Sequence, residues 1–311
     1  MKAIIIKEFG APSVLTLTDV ETPVAGNEEV LVEVKAVSIN PVDVKTRAGS
    51  GIAGRLKDLM PIILGWDISG RVVTSDSEKF KVGDDVFGMI NFPGYGKAYS
   101  TYVNVPASQL ALKPSTISHE EAAAATLAAL TAYQVLVHHA KIKKGSRVLV
   151  HAGSGGVGHF GVQIAKHLGA YVITTSSAAN KEFVMTLGAD EHIDYKSQKF
   201  EEVTSNIDFV FDTVGGENII RSLEVIKDGG RLISIPTYIS EEAARIAKSR
   251  NITAHFELVY SDGKDMEQIA KLLEQKIVIP HLDTVFAFED MAKAHALLET
   301  GHTVGKIVLT L

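Results

Sequence analysis

The pattern of hydrophobic and polar positions along the chain changes near Ser118. Up to about Pro114 apolar and polar residues alternate over short segments, as from Val30 to Val37, and turn residues separate these segments. Short segments of this kind are typical of β-strands, so the pattern predicts a barrel-like or sandwich-like region. An alanine-rich helix is predicted next, from about His119 to His138, and Ser118 and Glu121 form a capping box at its start.

From residue 147 onward, segments typical of strands alternate with segments typical of helices. The predicted strands are 147–151, 171–175, 207–212 and 231–235, and the predicted helices are 157–168, 180–187 and 217–226. Alternation of this kind indicates βαβ units with a parallel sheet. Helices at 266–275 and 289–299 and a strand at 306–311 are predicted for the remainder. The fold class is therefore α/β.

Length, charge and composition narrow the class of protein. A chain of 311 residues is longer than one hydrophobic core usually serves, which favours two domains. The formal net charge of −6 gives no general attraction for nucleic acid or an anionic membrane. There is no cysteine, which excludes disulfides and thiolate zinc sites. Neither a signal-peptide pattern nor an apolar stretch of membrane-helix length is present, so we expect a cytoplasmic protein without nucleic-acid or membrane partners.

A glycine-rich segment lies between the first strand and the first helix of the alternating region. Gly153, Gly155 and Gly158 fit the pattern G-x-G-x-x-G in this position. The first glycine permits a tight turn, the second lets the backbone approach a pyrophosphate, and the third lets the helix pack on the strand. The helix N-terminus adds free N–H groups for the phosphates. The segment predicts a dinucleotide site; the alternative is a glycine-rich turn without a ligand.

The residues after the second predicted strand favour NADPH over NADH. An NAD site has a carboxylate about 20 residues after the glycine segment, where it binds the ribose 2′-hydroxyl. Here Ser176, Ser177 and Lys181 come first, and the first carboxylate is that of Glu182. Hydroxyl and ammonium groups suit a 2′-phosphate, which a carboxylate would repel. The alternatives are that Ser176 is a helix N-cap and that Lys181 is a solvated helix residue.

Nine short segments, spread over the whole chain, match one family in order and spacing. They are residues 38–43, 65–70, 82–86, 98–103, 130–133, 152–158, 187–190, 212–216 and 305–308. On these segments the chain resembles the zinc-independent quinone oxidoreductase branch of the medium-chain dehydrogenase/reductase superfamily, which includes the alkenal/enone reductases. The resemblance implies a GroES-like β-rich catalytic domain, residues 1–124 and 262–311, and a Rossmann domain with a doubly wound parallel sheet, residues 125–261. It also implies a homodimer.

The resemblance further implies which residues bind NADPH. Lys181 and Tyr195 would contact the 2′-phosphate, although Tyr195 as a half-buried surface aromatic is an alternative. The other residues with implied cofactor contacts lie in or near the matched segments. They are Thr131, Gly153, Ser154, Gly155, Gly156, Val157, Gly158, Ser176, Ser177, Val214 and Lys306.

The positions that hold zinc in related dehydrogenases lack the usual ligands in this chain. Zinc-dependent relatives have a Cys where Asn40 stands, and a Gly-His-Glu segment where Gly65-Trp66-Asp67 stands. None of the eleven histidines is spaced like a metal site, and the adjacent His138 and His139 point in different directions on a helix. We therefore expect no metal. Without a Lewis acid, reduction of an acceptor that is already electrophilic is easier than oxidation of a simple alcohol.

Four residues are predicted to carry the catalysis. Asn40 and Asp43 lie on a turn set by Pro41, in the segment that faces the nicotinamide in the family, and Asp43 is alternatively a turn-stabilising residue. Lys45 either donates a hydrogen bond to a developing oxyanion or is a solvated lysine. Tyr99 belongs to a glycine-rich loop region that is predicted to cover the active-site cleft.

The predicted function is hydride transfer from NADPH to a quinone or to an α,β-unsaturated carbonyl, such as an enone, without zinc. In an enone the hydride goes to the β-carbon, and hydrogen-bond donors stabilise the charge that develops on the carbonyl oxygen. Two alternatives remain open on the sequence: a non-catalytic protein that binds NADPH as a redox sensor or structural component, and a reductase of enoyl thioesters.

Overall fold

The computed structural model describes all 311 residues, which fold into two compact units. One unit, here called the β-rich unit, consists of Met1–Leu130 and Val259–Leu311. The other, called the parallel-sheet unit, consists of Thr131–Leu258. These divisions lie a few residues from the domain limits expected from the sequence. No helix in either unit combines the length and the apolar character needed to cross a membrane.

Sixteen strands form the sheets of the two units. They are β1 (Lys2–Ile6), β2 (Thr16–Asp19), β3 (Glu29–Ser38), β4 (Ile62–Ile63), β5 (Asp67–Ser75), β6 (Asp85–Met89), β7 (Tyr102–Pro106), β8 (Ala111–Leu112), β9 (Arg147–Val150), β10 (Tyr171–Ser176), β11 (Glu191–Asp194), β12 (Ile207–Asp212), β13 (Ile226–Ser234), β14 (Thr253–Phe256), β15 (Leu282–Ala287) and β16 (Lys306–Thr310).

Eleven α-helices and several single turns connect the strands. The α-helices are α1 (Pro41–Arg47), α2 (Ala53–Leu56), α3 (His119–Ala124), α4 (Leu127–Tyr133), α5 (Gly158–His167), α6 (Lys181–Thr186), α7 (Phe200–Val203), α8 (Glu217–Val225), α9 (Glu241–Ser249), α10 (Gly263–Glu274) and α11 (Met291–Glu299). A π-helical segment (Gln134–His139) follows α4. The 3₁₀ turns are Pro12–Val14, Lys57–Leu59, Ala107–Gln109, Ala178–Asn180 and Phe288–Asp290.

The β-rich unit is organised around β3, its longest strand. β3 pairs antiparallel with β5, β7 and β16, and a separate sheet has the order β2-β1-β4. Most residues of β3 are buried, because neighbouring strands flank it and α3 packs against it. The pairing of β16 with β3 places Val308 opposite Ser38. The last strand of the chain therefore lies beside the segment that contains Asn40.

The parallel-sheet unit is a doubly wound sheet. Its six strands are all parallel, in the order β11-β10-β9-β12-β13-β14, which is the arrangement of a Rossmann fold. Leu149, Val210 and Leu232, on three neighbouring strands, are fully buried, because layers cover both faces of such a sheet. The predicted fold class, a β-rich domain together with a Rossmann sheet, is confirmed.

The long helix predicted from His119 to His138 is broken in the structure. The capping box at its start is present, with the Glu121 amide donating to Ser118 Oγ at 3.1 Å. However, α3 ends at Ala124, because the Leu127 amide donates to the Asp67 carboxylate, and Thr126 Oγ1 donates to the Ala123 carbonyl. A side chain that bonds nearby backbone competes with helix continuation in this way.

Several short elements were not predicted from the sequence. They are β11, β14, β15 and α9, and helix α1, which replaces the turn expected around Pro41. α1 begins with Asn40 as N-cap, Pro41 at its first position and Asp43 at its third position, a combination that favours a helix start. The signals for α1 were therefore present in the sequence, whereas β14 is four residues long and carries little pattern of its own.

Candidate functional site

The glycine segment forms the connection between β9 and α5, and each glycine has its own structural reason. A Cβ atom at Gly153 would lie 1.9 Å from Thr174 Oγ1, and one at Gly158 would lie 2.1 Å from the Ala152 carbonyl oxygen. At Gly155, by contrast, no atom outside Ala152 lies within 4 Å of the Cβ position. The protein's own packing requires the first and third glycines, whereas the second keeps open space in front of the loop. This arrangement fits a ligand that approaches the backbone closely.

His151, the residue between β9 and the glycine loop, holds the start of the loop in place through two side-chain contacts. Its Nε2 lies 2.9 Å from Ser222 Oγ, whose hydrogen is donated to the Asn218 carbonyl, so Nε2 carries the proton. Its Nδ1 lies 3.2 Å from Thr175 Oγ1, which also accepts the Ala152 amide. Burial lowers the pKa of His151 to about 4, and the ring is therefore neutral at physiological pH. A neutral histidine thus joins the start of the glycine loop to β10 and α8.

A carboxylate and an amide shape the loop that follows β10. Asp194, at the end of β11, accepts the Ala178 amide at 3.1 Å and Ser197 Oγ at 2.6 Å, and the Ser197 bond lowers the pKa of Asp194. Asn180 Nδ2 donates to Ser154 Oγ at 3.0 Å, which joins this loop to the glycine loop. The Asp194 carboxylate is therefore occupied within the protein.

The residues predicted to meet a 2′-phosphate lie together beyond the ends of β10 and β11. Ser177 is half-buried, Lys181 is exposed, and the Tyr195 ring is 58% exposed. The Tyr195 amide donates to the Ser176 carbonyl at 3.2 Å, which keeps the two strand ends adjacent. Ser176 itself is buried, with its hydroxyl donating to the Ser177 carbonyl and lying 2.9 Å from His192 Nε2. Ser176 is the last residue of β10 and Ser177 is the N-cap of the following turn, so the alternative that Ser176 caps a helix is wrong, whereas its contact with a 2′-phosphate stays a prediction.

The remaining predicted cofactor residues of this unit belong to the same loops or to neighbouring elements. Gly156 and Val157 lie in the glycine loop, with Val157 at the N-cap of α5, and Thr131 is nearly buried on α4. Val214 is about half exposed, on a turn that the Asp212 carboxylate holds by accepting the Gly215 amide at 3.0 Å. The N-cap residue of α5, Val157, makes no side-chain cap, while the His159 amide in the first turn already donates to the Gly155 carbonyl at 3.1 Å.

In the β-rich unit, Asp67 is the centre of a buried polar cluster. One carboxylate oxygen accepts Ser38 Oγ at 2.6 Å and Asn40 Nδ2 at 2.7 Å, and the other accepts the Leu127 amide at 3.1 Å. Asp67 is fully buried. These bonds join the end of β3, the start of β5 and the start of α4, so Asp67 fixes the position of the segment that leads into α1.

Lys306 completes this cluster from β16. Its Nζ donates to the Ile39 carbonyl at 2.9 Å and to Asn40 Oδ1, and it lies 3.9 Å from Asp67 Oδ2. The side chain is 3% exposed. The prediction that Lys306 contacts the cofactor therefore does not agree with this placement, because protein oxygens surround its ammonium group. Burial lowers the pKa of Lys306, and the charges of Asp67 and Asp43 oppose that shift.

Asp43 is also fully buried, on α1 rather than on the predicted turn. One carboxyl oxygen accepts the Asn40 amide at 2.6 Å, and the other makes no hydrogen bond. Burial, together with the nearby charge of Asp67, raises the pKa of Asp43 to about 8. Asp43 is therefore largely neutral at pH 7, which leaves Asp67 and Lys306 as one buried anion and one buried cation.

Tyr99 is buried as well and does not lie on an exposed covering loop as predicted. Its hydroxyl lies 3.1 Å from His295 Nε2, and His295 Nδ1 in turn lies 3.4 Å from the Arg47 guanidinium. Arg47 also pairs with Glu299. Burial and, secondarily, the charge of Arg47 lower the pKa of His295 to about 3, so His295 accepts from Arg47 through Nδ1 and donates to Tyr99. Burial raises the pKa of Tyr99 well above its usual value.

Of the four predicted catalytic residues, Lys45 alone is exposed. Asn40, Asp43 and Tyr99 have at most 1% of their surface exposed. At the position of the zinc-binding histidine of related dehydrogenases, the Trp66 indole is buried and donates to the Gly94 carbonyl at 2.9 Å. An indole N–H offers no lone pair to a metal ion. The residues at this position therefore do not fit a catalytic zinc.

Two family models match parts of the chain. The model described as "Zinc-binding dehydrogenase" matches residues 187–309, and the model described as "Alcohol dehydrogenase GroES-like domain" matches residues 26–115. Together they cover parts of both the β-rich and the parallel-sheet units.

Several relatives that match over nearly the whole chain are named as oxidoreductases or reductases. The chain is 34% identical to the 2-methylene-furan-3-one reductase of Solanum lycopersicum, over 99% of this chain and 79% of that protein. It is 32% identical to the NADPH-dependent alkenal/one oxidoreductase, chloroplastic, of Arabidopsis thaliana, with the same coverage. Among solved structures, the quinone oxidoreductase from Coxiella burnetii has a TM-score of 0.94 and 37% identity, and the match covers 100% of this chain and 99% of that one.

Proposed function

Because this chain belongs to the quinone oxidoreductase and alkenal/one reductase branch of the medium-chain dehydrogenase/reductase superfamily, we propose that it is an NADPH-dependent reductase of quinones or α,β-unsaturated carbonyls. The relatives are oxidoreductases, which supports an enzyme that uses a nicotinamide cofactor. The proposed preference for NADPH rests on this chain's own residues, and the proposed substrate class rests on what the relatives are named for.

The observation that carries the proposal is the open space in front of Gly155. Neighbouring atoms of the protein exclude a side chain at Gly153 and at Gly158, but outside Ala152 no protein atom occupies the space at Gly155. A pyrophosphate needs this kind of close approach to backbone N–H groups at the start of a helix. Gly153 to Gly158 and the first turn of α5 would hold it.

The proposed preference for NADPH rests on the groups beyond β10. Ser177, Lys181 and Tyr195 offer a hydroxyl, an ammonium and a phenol. The carboxylate of Asp194, next to Tyr195 in the sequence, accepts the Ala178 amide and the Ser197 hydroxyl. A 2′-phosphate would gain charge-assisted hydrogen bonds from these donors. The side chain of His192 braces Ser176 and so keeps the two strand ends in position.

For the reaction, bound NADPH would supply a hydride to an electrophilic carbon of the substrate. Lys45 is exposed and would donate a hydrogen bond to the oxygen on which negative charge develops, and water would supply the proton. Asn40, Asp43 and Tyr99 are buried, so we assign them a positioning role: they hold α1, and with it Lys45, in place. Lys306 is a positioning residue on the same grounds, because its Nζ donates to the Ile39 carbonyl and to Asn40, whereas the contact of Thr131 with the cofactor stays a prediction.

The activity is tested by incubating the protein with NADPH and a panel of quinones, enals and enones. The loss of absorbance of the reduced nicotinamide measures NADPH consumption. We expect turnover with at least one compound class and no loss of rate after treatment with a chelator. Lys45→Met is expected to lower kcat without changing the affinity for NADPH. Binding of NADPH without consumption across the whole panel would indicate a sensor and would contradict the proposed reaction.

The test of the nucleotide preference is a titration with NADPH and with NADH. Lys181→Ala is expected to weaken NADPH binding by roughly tenfold, as loss of a charge-assisted contact predicts, and to leave NADH binding unchanged. Lys248→Ala, an exposed lysine on α9 of the same unit, is the matched control. Equal affinities for the two nucleotides in the unmodified protein would exclude the 2′-phosphate site.

A further inference from the structure

Three side chains that play no part in the proposed nucleotide site converge in the parallel-sheet unit. His139 ends the π-helical segment, His255 lies on the edge strand β14, and Glu257 follows that strand. All three side chains are partly exposed, and their ligand atoms, one from each side chain, lie within 4.8 Å of one another. In the sequence no histidines have the spacing of a metal site. The fold nevertheless brings His139 and His255 together, although 116 residue positions separate them.

The two distances from Glu257 to the histidines match the spacing of metal ligands, and the two histidine nitrogens lie within 4.8 Å of each other. Glu257 Oε2 lies 3.4 Å from His139 Nδ1 and 3.6 Å from His255 Nε2. Zinc bonds of about 2.0–2.2 Å at tetrahedral angles place neighbouring ligand atoms about 3.3–3.6 Å apart. Both separations exceed the usual N–H···O range of about 2.7–3.2 Å. One ion at the centre would therefore reach all three atoms with small side-chain adjustments.

The surroundings leave the site open to a cation. His138, the sequence neighbour of His139, packs its ring edge-on against Tyr133 at 5.5 Å and is thereby directed elsewhere. The Arg231 guanidinium donates to the His139 carbonyl at 3.2 Å and so fixes the end of the helical segment. The positive charge of Arg231 disfavours the binding of a nearby cation, but its hydrogen bond also orients the backbone that carries His139.

We propose that His139, His255 and Glu257 form a binding site for a divalent transition-metal ion of the zinc type. Two imidazoles and one carboxylate suit Zn²⁺, Co²⁺ and Ni²⁺, whereas Ca²⁺ and Mg²⁺ prefer oxygen ligands alone. Water would fill the remaining coordination position. The ion would join the end of the π-helical segment to the edge strand β14, and it therefore serves the stability of this unit.

The experiment is a titration of the full-length, chelator-treated protein with Co²⁺, in which the visible absorption of bound Co²⁺ reports binding. Zn²⁺ is then added as a competitor. We expect one ion per chain and displacement by Zn²⁺. His255→Ala and Glu257→Gln are each expected to weaken Co²⁺ binding at least tenfold. His167→Ala, which removes an exposed histidine of the same unit, is expected to change nothing.

A second measurement guards against a folding defect in the variants. The melting temperature of Glu257→Gln in the presence of a chelator is expected to equal that of the unmodified protein under the same conditions. Added Zn²⁺ is expected to raise the melting temperature of the unmodified protein and of His167→Ala only. The proposal would be overturned if the unmodified protein did not bind Co²⁺, or if His255→Ala and Glu257→Gln bound Co²⁺ as tightly as the unmodified protein does.

Discussion

At the scale of single residues, the buried charges of the β-rich unit depend on one another. Asp67 and Lys306 carry opposite charges in the interior, and Asp43 remains largely neutral beside them. Removing one member of a buried ion pair leaves the other without compensation, which typically costs about 3–5 kcal/mol. Replacing both members removes that penalty. The cluster therefore makes a prediction that single and double substitutions can separate.

Lys306→Met is expected to lower the free energy of unfolding by about 3–5 kcal/mol, because Asp67 is left as an unpaired buried anion. The double variant Lys306→Met with Asp67→Asn is expected to recover part of this loss. Urea unfolding curves of Lys306→Met, of Asp67→Asn and of the double variant provide the measurement. If the double variant loses the sum of the two single effects, the two charges do not interact and the cluster has been misread.

The same cluster shows why the predicted catalytic residues changed their role. Asn40 bonds to Asp67, 27 residues away, and to Lys306, 266 residues away. The family resemblance of segments 38–43 and 305–308 identified Asn40 and Lys306 as candidate site residues, but a short segment carries no information about such distant partners. The partner of Ser176 was likewise not predictable from the neighbouring sequence, since His192 belongs to the next strand of the sheet.

At the scale of elements, the sequence predicts a loop or helix start best where the local backbone conformation requires a particular residue type. The glycine loop was located correctly because Gly153 and Gly158 have contacts that no side chain tolerates. The capping box of α3 was also correct, since its two hydrogen bonds are local. The break after α3 was missed, because it depends on the amide of Leu127 bonding to Asp67, 60 residues earlier in the chain.

The glycine loop yields a prediction that separates binding from folding. Gly158→Ala would place a Cβ atom 2.1 Å from the Ala152 carbonyl, so we expect a loss of about 1–3 kcal/mol in stability. Gly155→Ala would place its Cβ atom 3.2 Å from the same oxygen, which small shifts relieve. Gly155→Ala is therefore expected to keep its stability but to bind NADPH at least tenfold more weakly, because the methyl group enters the space kept for the ligand.

Thermal unfolding and a nucleotide titration of both variants check this contrast. Gly145→Ala is not a suitable control, because its φ of +85° strains any side chain. Gly54→Ala, on α2 of the β-rich unit, has no atom within 4 Å of its Cβ position and serves instead. Unchanged NADPH affinity in a stable Gly155→Ala would show that no ligand uses this space.

At the scale of the whole molecule, each unit contains a buried histidine that is neutral in the folded state. His151 braces the glycine loop of the parallel-sheet unit, with a pKa of about 4, and His295 supports Tyr99 in the β-rich unit, with a pKa of about 3. In the unfolded chain both titrate near their ordinary value of about 6.5. Below that pH the unfolded state binds protons that the folded state does not accept, so acid weakens both units.

The predicted pH dependence has a definite sign. The stabilisation from each neutral histidine is fully present above about pH 6.5 and declines as the pH falls toward about 4 for His151 and about 3 for His295. His151→Phe is expected to be less stable than the unmodified protein at pH 7, because it loses two hydrogen bonds. It is also expected to lose less stability on acidification, so that the difference between the two proteins narrows at pH 5.

Urea unfolding midpoints at pH 7 and pH 5 measure this difference, with His167→Phe, an exposed position of the same unit, as control. Carboxylates with lowered pKa values, such as Asp194, weaken every variant in acid alike and cancel in the comparison. A gap between His151→Phe and the unmodified protein that stays constant from pH 7 to pH 5 would mean that His151 is not held neutral by burial. In that case the ring would be protonated, and the bond between Nδ1 and Thr175 Oγ1 would run the other way, with His151 donating through both ring nitrogens.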